Sequence, residues 1–145
     1  MSSLFAAGDL LLARLAAVSG LQSARYGSRI VGPNANGSAL PNAILVPADA
    51  ANFQPDADPV SDKVFERQKW VVGIRAELDP GATAANVAEA RLSTLATAII
   101  TALCVTRSTD GLKHVRYLER TPVQYPEASG YAEIWLTFDL VAQIT

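Results

Sequence analysis

The stretch Tyr131 to Ile144, YAEIWLTFDLVAQI, constrains the fold more than any other. Ala132, Ile134, Leu136, Phe138, Leu140, Ala142 and Ile144 fill every second position and are all apolar. Tyr131, Glu133, Trp135, Thr137, Asp139, Val141 and Gln143 alternate with them and are mostly polar or amphipathic. Period two is the pattern of a strand with one face in the core and the other toward water or a partner. At about 3.3 Å per residue the stretch spans roughly 46 Å, against about five or six residues in a usual strand. Such a strand outruns the core of its own domain, so it reads as the spine of a sheet shared with, or covered by, something else.

A second long strand is expected over 64–78. Trp70, Val72, Ile74, Ala76 and Leu78 share one face, and Lys69, Val71, Gly73, Arg75 and Glu77 the other. Asp79-Pro80-Gly81 stops it and opens a helix over about 83–104, with Asp79 or Thr83 as cap. Ala88, Leu92, Leu95, Ala96, Ile99 and Leu103 recur three and four apart, the stripe that such a helix lays on a sheet. An earlier helix is expected over 3–18, with Leu4, Leu11, Leu15 and Val18 on its apolar stripe and Phe5, Leu12 and Ala16 beside it. Gly20 sits where a left-handed C-terminal residue is wanted.

Shorter strands are expected over 23–31, over Ala43 to Val46 with Pro47 as terminator, and over His114 to Thr121. Gly32 to Ser38 and Asp110-Gly111 read as turns. The stretch 48–62, ADAANFQPDADPVSD, lacks periodicity, and Pro55 and Pro59 argue against regular structure in it. It carries Asp49, Asp56, Asp58 and Asp62 and no basic residue. The last two strands read as an antiparallel hairpin. The whole is one α+β domain over residues 1–145: a single mixed, mostly antiparallel sheet of about four to five strands, two helices packed on it, and a long loop between central strands.

Composition narrows the function. Charged residues are 18% of the 145, below the usual share of about 25%. Either the high alanine content or surface buried in an assembly accounts for that. A net charge of -2 argues against a dedicated nucleic-acid binder. The opening MSSLFAAGDLLLARLAAVSG has no basic start, and Asp9 and Arg14 break its apolar run, so neither a signal peptide nor a membrane span is expected. The single cysteine, Cys104, allows no internal disulfide.

No constellation announces a reaction, and no enzyme, cofactor or metal is expected. His114, the only histidine, has no triad or zinc partners in view and reads as an exposed strand-edge residue. Cys104 lies at the C-terminal end of a helix, the wrong end for an activated thiol, and reads as buried and inert. Gly32 and Gly37-Ser38 mimic a phosphate loop without its lysine, and Asn36-Gly37-Ser38 matches a glycosylation acceptor that is idle without secretion. The aspartates of 48–62 lack the spacing of a calcium loop and read as a solvated acidic loop. Arg107, Lys113, Arg116 and Arg120 give the segment 107–120 a basic excess over Asp110 and Glu119. It is either an ordinary solvated strand or a patch that meets the acidic loop of a neighbouring copy.

The order of elements resembles the tail terminator and tail-completion proteins of long-tailed bacteriophages. The resemblance lies in the LFAAGDLLLARLAAV start, the KWVVGIRAEL strand with the AEARLSTLATAIITAL helix, and the closing YAEIWLTFDLVAQI strand. It covers nearly the whole chain, through pattern and without a diagnostic motif. It implies a structural virion protein, assembled in the host cytoplasm, forming a ring, expected to be hexameric, on the head-proximal end of the tail tube. Such a ring stops tube polymerisation and joins the tail to the head, with the tail tube protein and a head–tail connector as partners. DNA passes its lumen without specific binding, and no membrane is involved. A different neck, connector or tail-completion component is the alternative, as is a small α+β ligand-binding or regulatory domain. The expected interface residues are Phe53, Asp56, Asp58, Asp62 and Phe65 around the acidic loop, Arg116 and Arg120 on the basic segment, and Trp135. For Trp135, cover by the second helix competes with a contact role.

Overall fold

The structure is a computed structural model that describes residues 6–27, 40–48, 54–57, 64–77, 84–104, 112, 114–125 and 130–143; for 54–57, 64, 84–86 and 143 it describes the backbone alone. The elements run α1 (Ala6–Ala16), β1 (Ser23–Tyr26), β2 (Asn42–Pro47), β3 (Gln54–Ala57), β4 (Val64–Glu77), α2 (Ala84–Leu103), β5 (Arg116–Arg120) and β6 (Tyr131–Gln143). The expected α+β class is what forms. Five strands lie in the order β1-β2-β4-β6-β5, and β3 joins alongside β4 as a sixth. Among the described residues only the β1–β2 pair is parallel.

The two long alternating strands pair with each other along their whole length, from Phe65 opposite Gln143 to Glu77 opposite Tyr131. Their registers bring the two apolar rows onto one face, where Trp70 meets Phe138, Val72 meets Leu136 and Ile74 meets Ile134. Both helices cover this face. Leu92, Ile99 and Leu103 of α2 and Leu11 and Leu15 of α1 are fully buried in one cluster with Leu45, Trp70, Leu136 and Phe138. Each such aliphatic side chain contributes about 1.5–3 kcal/mol on leaving water. All six residues expected on the α2 stripe are buried, as are Leu11 and Leu15 of α1 and Val18 just after it, whereas Ala16 points to solvent.

Three local devices fix the helices. Arg14 donates from its two terminal nitrogens to the carbonyls of Leu103 (2.7 Å) and Leu112 (2.7 Å), so α1 caps the end of α2 and the segment leading to β5. Gly8 lets α1 approach the sheet: a Cβ there would lie 2.5 Å from the Trp70 ring. Tyr26 donates to Asp9 at 2.6 Å, joining β1 to α1. The helix ends in tightened bonds, from Val18 N–H to the Leu15 carbonyl and from Ala17 N–H to that of Arg14, and Gly20 takes its positive φ in the turn that follows.

One expectation needs correction. Pro55 does not keep 48–62 free of regular structure, because it stands inside β3 opposite Glu66. Among the described residues β3 pairs on one side only, with β4, and an edge strand tolerates a residue that cannot donate to the ladder. Leu4, Phe5, the 28–39 loop, Leu78, the 79–81 breaker and Asp110-Gly111 lie outside the described residues.

Candidate functional site

Every second residue of the strands points away from both helices, and these residues form the second face of the sheet. Register assembles it in rows. Ser23, Asn42, Arg75 and Glu133 make one row across β1, β2, β4 and β6. Arg25, Ile44, Gly73 and Trp135 make the next, and Val46, Val71, Thr137 and Glu119 the third. Lys69, Asp139 and Arg116 make a fourth. No described helix packs on this face, yet parts of it are closed. Ile44 is 3% exposed, Tyr131 3% and Arg75 6%.

Trp135 is the centre. Its ring lies flat against Gly73, so close that a Cβ on Gly73 would stand 2.6 Å from the ring. The aromatic thus fills the space that the missing side chain leaves, a pairing that stabilises strands carrying glycine. Its own N–H donates to Thr121 Oγ1 (3.0 Å), and its carbonyl accepts from Thr121 N–H. Trp135 remains half-buried. Cover by α2 is excluded, because α2 is on the other side of the sheet.

Charges surround it in alternation. Arg75 donates to Glu133 at 3.3 Å and stacks over the Tyr131 ring at 5.1 Å from its centroid. At the other end Arg116 grips Asp139 with two hydrogen bonds, 3.0 and 2.7 Å. That guanidinium, with Arg67 and Lys69 adding their fields, holds the Asp139 carboxyl below its ordinary value, partly offset by burial. Three cations therefore cluster about one carboxylate.

Arg116 and Arg120 do not come together. A β-bulge between Tyr117 and Glu119 inserts Leu118, so Arg116 stays with Asp139 while Arg120 comes opposite Leu136, on the helix side. There it lines a groove of about 320 Å³ between α2 and β5, with Glu89, Ser93, Thr97 and Tyr117. Glu89 accepts from the Tyr125 hydroxyl at 2.7 Å and raises that phenol's pKa. Phe65 is half-buried on β4, and Asp56 stands opposite it on β3. Phe53, Asp58, Asp62, Arg107 and Lys113 lie outside the described residues.

Burial pushes the Cys104 thiol up, with the Tyr117 amide and the Arg14 charge opposing, so it is a poor nucleophile. His114 is exposed with φ of 59° just before β5. Among the described residues no three of His, Cys, Asp and Glu gather where they could hold a metal ion. No helix of the described residues is long and apolar enough to cross a membrane. Sequence reasoning did not find the Gly73–Trp135 contact or the buried Arg75–Glu133 pair. Both depend on register between distant strands. A glycine inside a strand pattern was the available signal for the first.

No protein-family model matches the chain, and no curated protein does. Among solved structures, 28 chains are similar. One belongs to a structure described as "Virion of native gene transfer agent (GTA) particle": it is 22% identical, with a TM-score of 0.53 over 97% of this chain and 95% of the other. The likeness shows that the two chains share a fold from end to end.

Proposed function

We propose that this chain is a structural protein of a phage-like virion, and within it the subunit of a ring that caps the head-proximal end of the tail tube. The ring, of six copies, stops tube polymerisation and presents a surface to the head connector. What supports this most is the likeness, over 97% of this chain and 95% of the other, to a chain of a gene transfer agent virion. The second sheet face supports it too, since half-buried Trp135 and Phe65 sit there among charges suited to another protein surface. The contact residues in this reading are Phe53, Asp56, Asp58, Asp62, Phe65, Arg116, Arg120 and Trp135. DNA passes the lumen, with the tail tube protein below and the connector above.

The test is negative-stain imaging of particles assembled without this protein. The expected result is tails of uncontrolled length that do not join heads. Tails of normal length that lack heads would shift the role to another neck or connector component. Complete particles would remove the virion assembly role altogether.

A further inference from the structure

Along a regular strand Arg116 and Arg120, four residues apart, would point to the same face. The bulge that inserts Leu118 sends Arg120 to the other side, into the groove between α2 and β5. A bulge leaves a residue out of the ladder, and re-aiming a side chain beside a site is what it commonly achieves. Leu92, Ala96, Ile100, Val123 and Ile134 make the groove apolar along its floor. Its other polar side chains are engaged: Thr97 donates to the Ser93 carbonyl at 3.0 Å, and Glu89 accepts from Tyr125 at 2.7 Å. Arg120 is exposed and donates only to the carbonyl of adjacent Thr121, at 3.3 Å. Among the described residues no carboxylate pairs with it, whereas Arg75 and Arg116 each hold one. Two of the three exposed large hydrophobic residues stand at the margin of this groove. Tyr125, 43% exposed, is tied to Glu89, and Leu118, 41% exposed, follows Tyr117 in the chain.

We infer that the α2–β5 groove receives a segment of a partner protein, one that lays an apolar side chain on the floor and sets an Asp or Glu carboxylate on Arg120. Charge complementarity decides the polar half. A guanidinium presents its donors as a rigid fork, and a carboxylate answers that fork with paired hydrogen bonds. The floor decides the other half, because an apolar side chain is stabilised there in proportion to the area it removes from water. Tyr125 and Leu118 carry the contact beyond the groove, which suits a protein surface and not a small molecule. Tyr125 is already held by Glu89, so it loses little freedom on contact. The inference rests on the virion reading above and adds what kind of segment one surface of the subunit takes.

Thr97, exposed on the α2 wall, gives the test its handle. The full chain, with photo-reactive benzoylphenylalanine in place of Thr97, would be assembled into particles and irradiated, and the crosslinked segment read by mass spectrometry. The expected segment belongs to a different virion protein and has Asp or Glu next to the crosslinked apolar residue. A dye-labelled synthetic peptide of that segment is then titrated with the purified full chain. Replacing the peptide's carboxylate by its amide should weaken binding on the order of tenfold. With Arg120→Gln, at an exposed position that leaves the core intact, acid and amide peptides should bind alike. Arg120→Lys, which keeps the charge and loses the fork, should restore part of the difference. The inference is overturned by particles that contain the protein but give no crosslink, or by a segment without a carboxylate. A crosslink to a second copy of the chain overturns it too, making the groove a contact between copies, as does equal binding of the two peptides to the unmodified chain. Particles that lack the protein are a different failure: they would sink the virion reading, and the partner segment with it.

Discussion

Trp70 and Trp135 sit on opposite faces of one β-ladder and are held by opposite means. Trp70 is enclosed. It faces Phe138 across the ladder, lies under Gly8 of α1, and donates its indole N–H to Gln68 Oε1 at 2.9 Å. Gln68, fully buried, passes the polarity outward by donating to Glu66 at 2.9 Å. Trp135 faces a glycine, has no described helix above it, and stays half-buried. One face is covered by both helices, and over the other no described helix lies. Residues of the same type on neighbouring strands therefore test different things, Trp70 the enclosed core and Trp135 the face that no described helix covers.

The largest expected effect lies on the enclosed side. Trp70→Ala should cost about 3–5 kcal/mol, measured by urea unfolding, because helix, sheet and polar chain all close around that ring. Trp135→Ala should cost far less in the same assay, and a similar loss at both positions would erase the distinction between the faces. Gly73→Val comes next. Its Cβ would stand 2.6 Å from the Trp135 ring, which must lift toward solvent. The expected cost is about 1–3 kcal/mol, with a red shift in emission. Unchanged emission would mean that Trp135 is held by something other than the glycine floor.

The enclosed side was also the more legible one. Alternation in 131–143 and 64–77 and the three-and-four spacing of Ala88 to Leu103 report burial directly, because both follow from backbone geometry within one element. The open side depends on which strand lies beside which. Nothing local to Gly73 or Trp135 says that they meet, and Arg75 reads as a surface residue until Glu133 and Tyr131 are set next to it. Arg116 and Arg120 are four apart and would share a face of a regular strand. Leu118, 41% exposed, is the residue the bulge adds, and its sequence gives no turn signal. Pro55 misleads for a related reason: it forbids a central strand, and only topology reveals that β3 is at an edge.

The smallest expected effect tests whether the charged border of the open face contributes to the fold of a single copy. Asp139 is held below its ordinary pKa first by its bonds to Arg116. A carboxyl depressed in the folded state stabilises the fold fully above the unfolded-state value, about 3.9, and loses that contribution as pH falls through the folded value. Arg116→Ala should therefore raise the Asp139 pKa, seen by carboxyl NMR titration, although Arg67 and Lys69 remain to hold it partly down. Variant and wild type should differ slightly in stability near neutral pH and converge below about pH 4. Arg116 is solvent-exposed, so the difference should be small and should shrink in salt. A difference that persists unchanged into acid would show that Arg116 acts through the packing of its aliphatic stem. In that case the Arg116–Asp139 pairing adds nothing to the stability of the single chain.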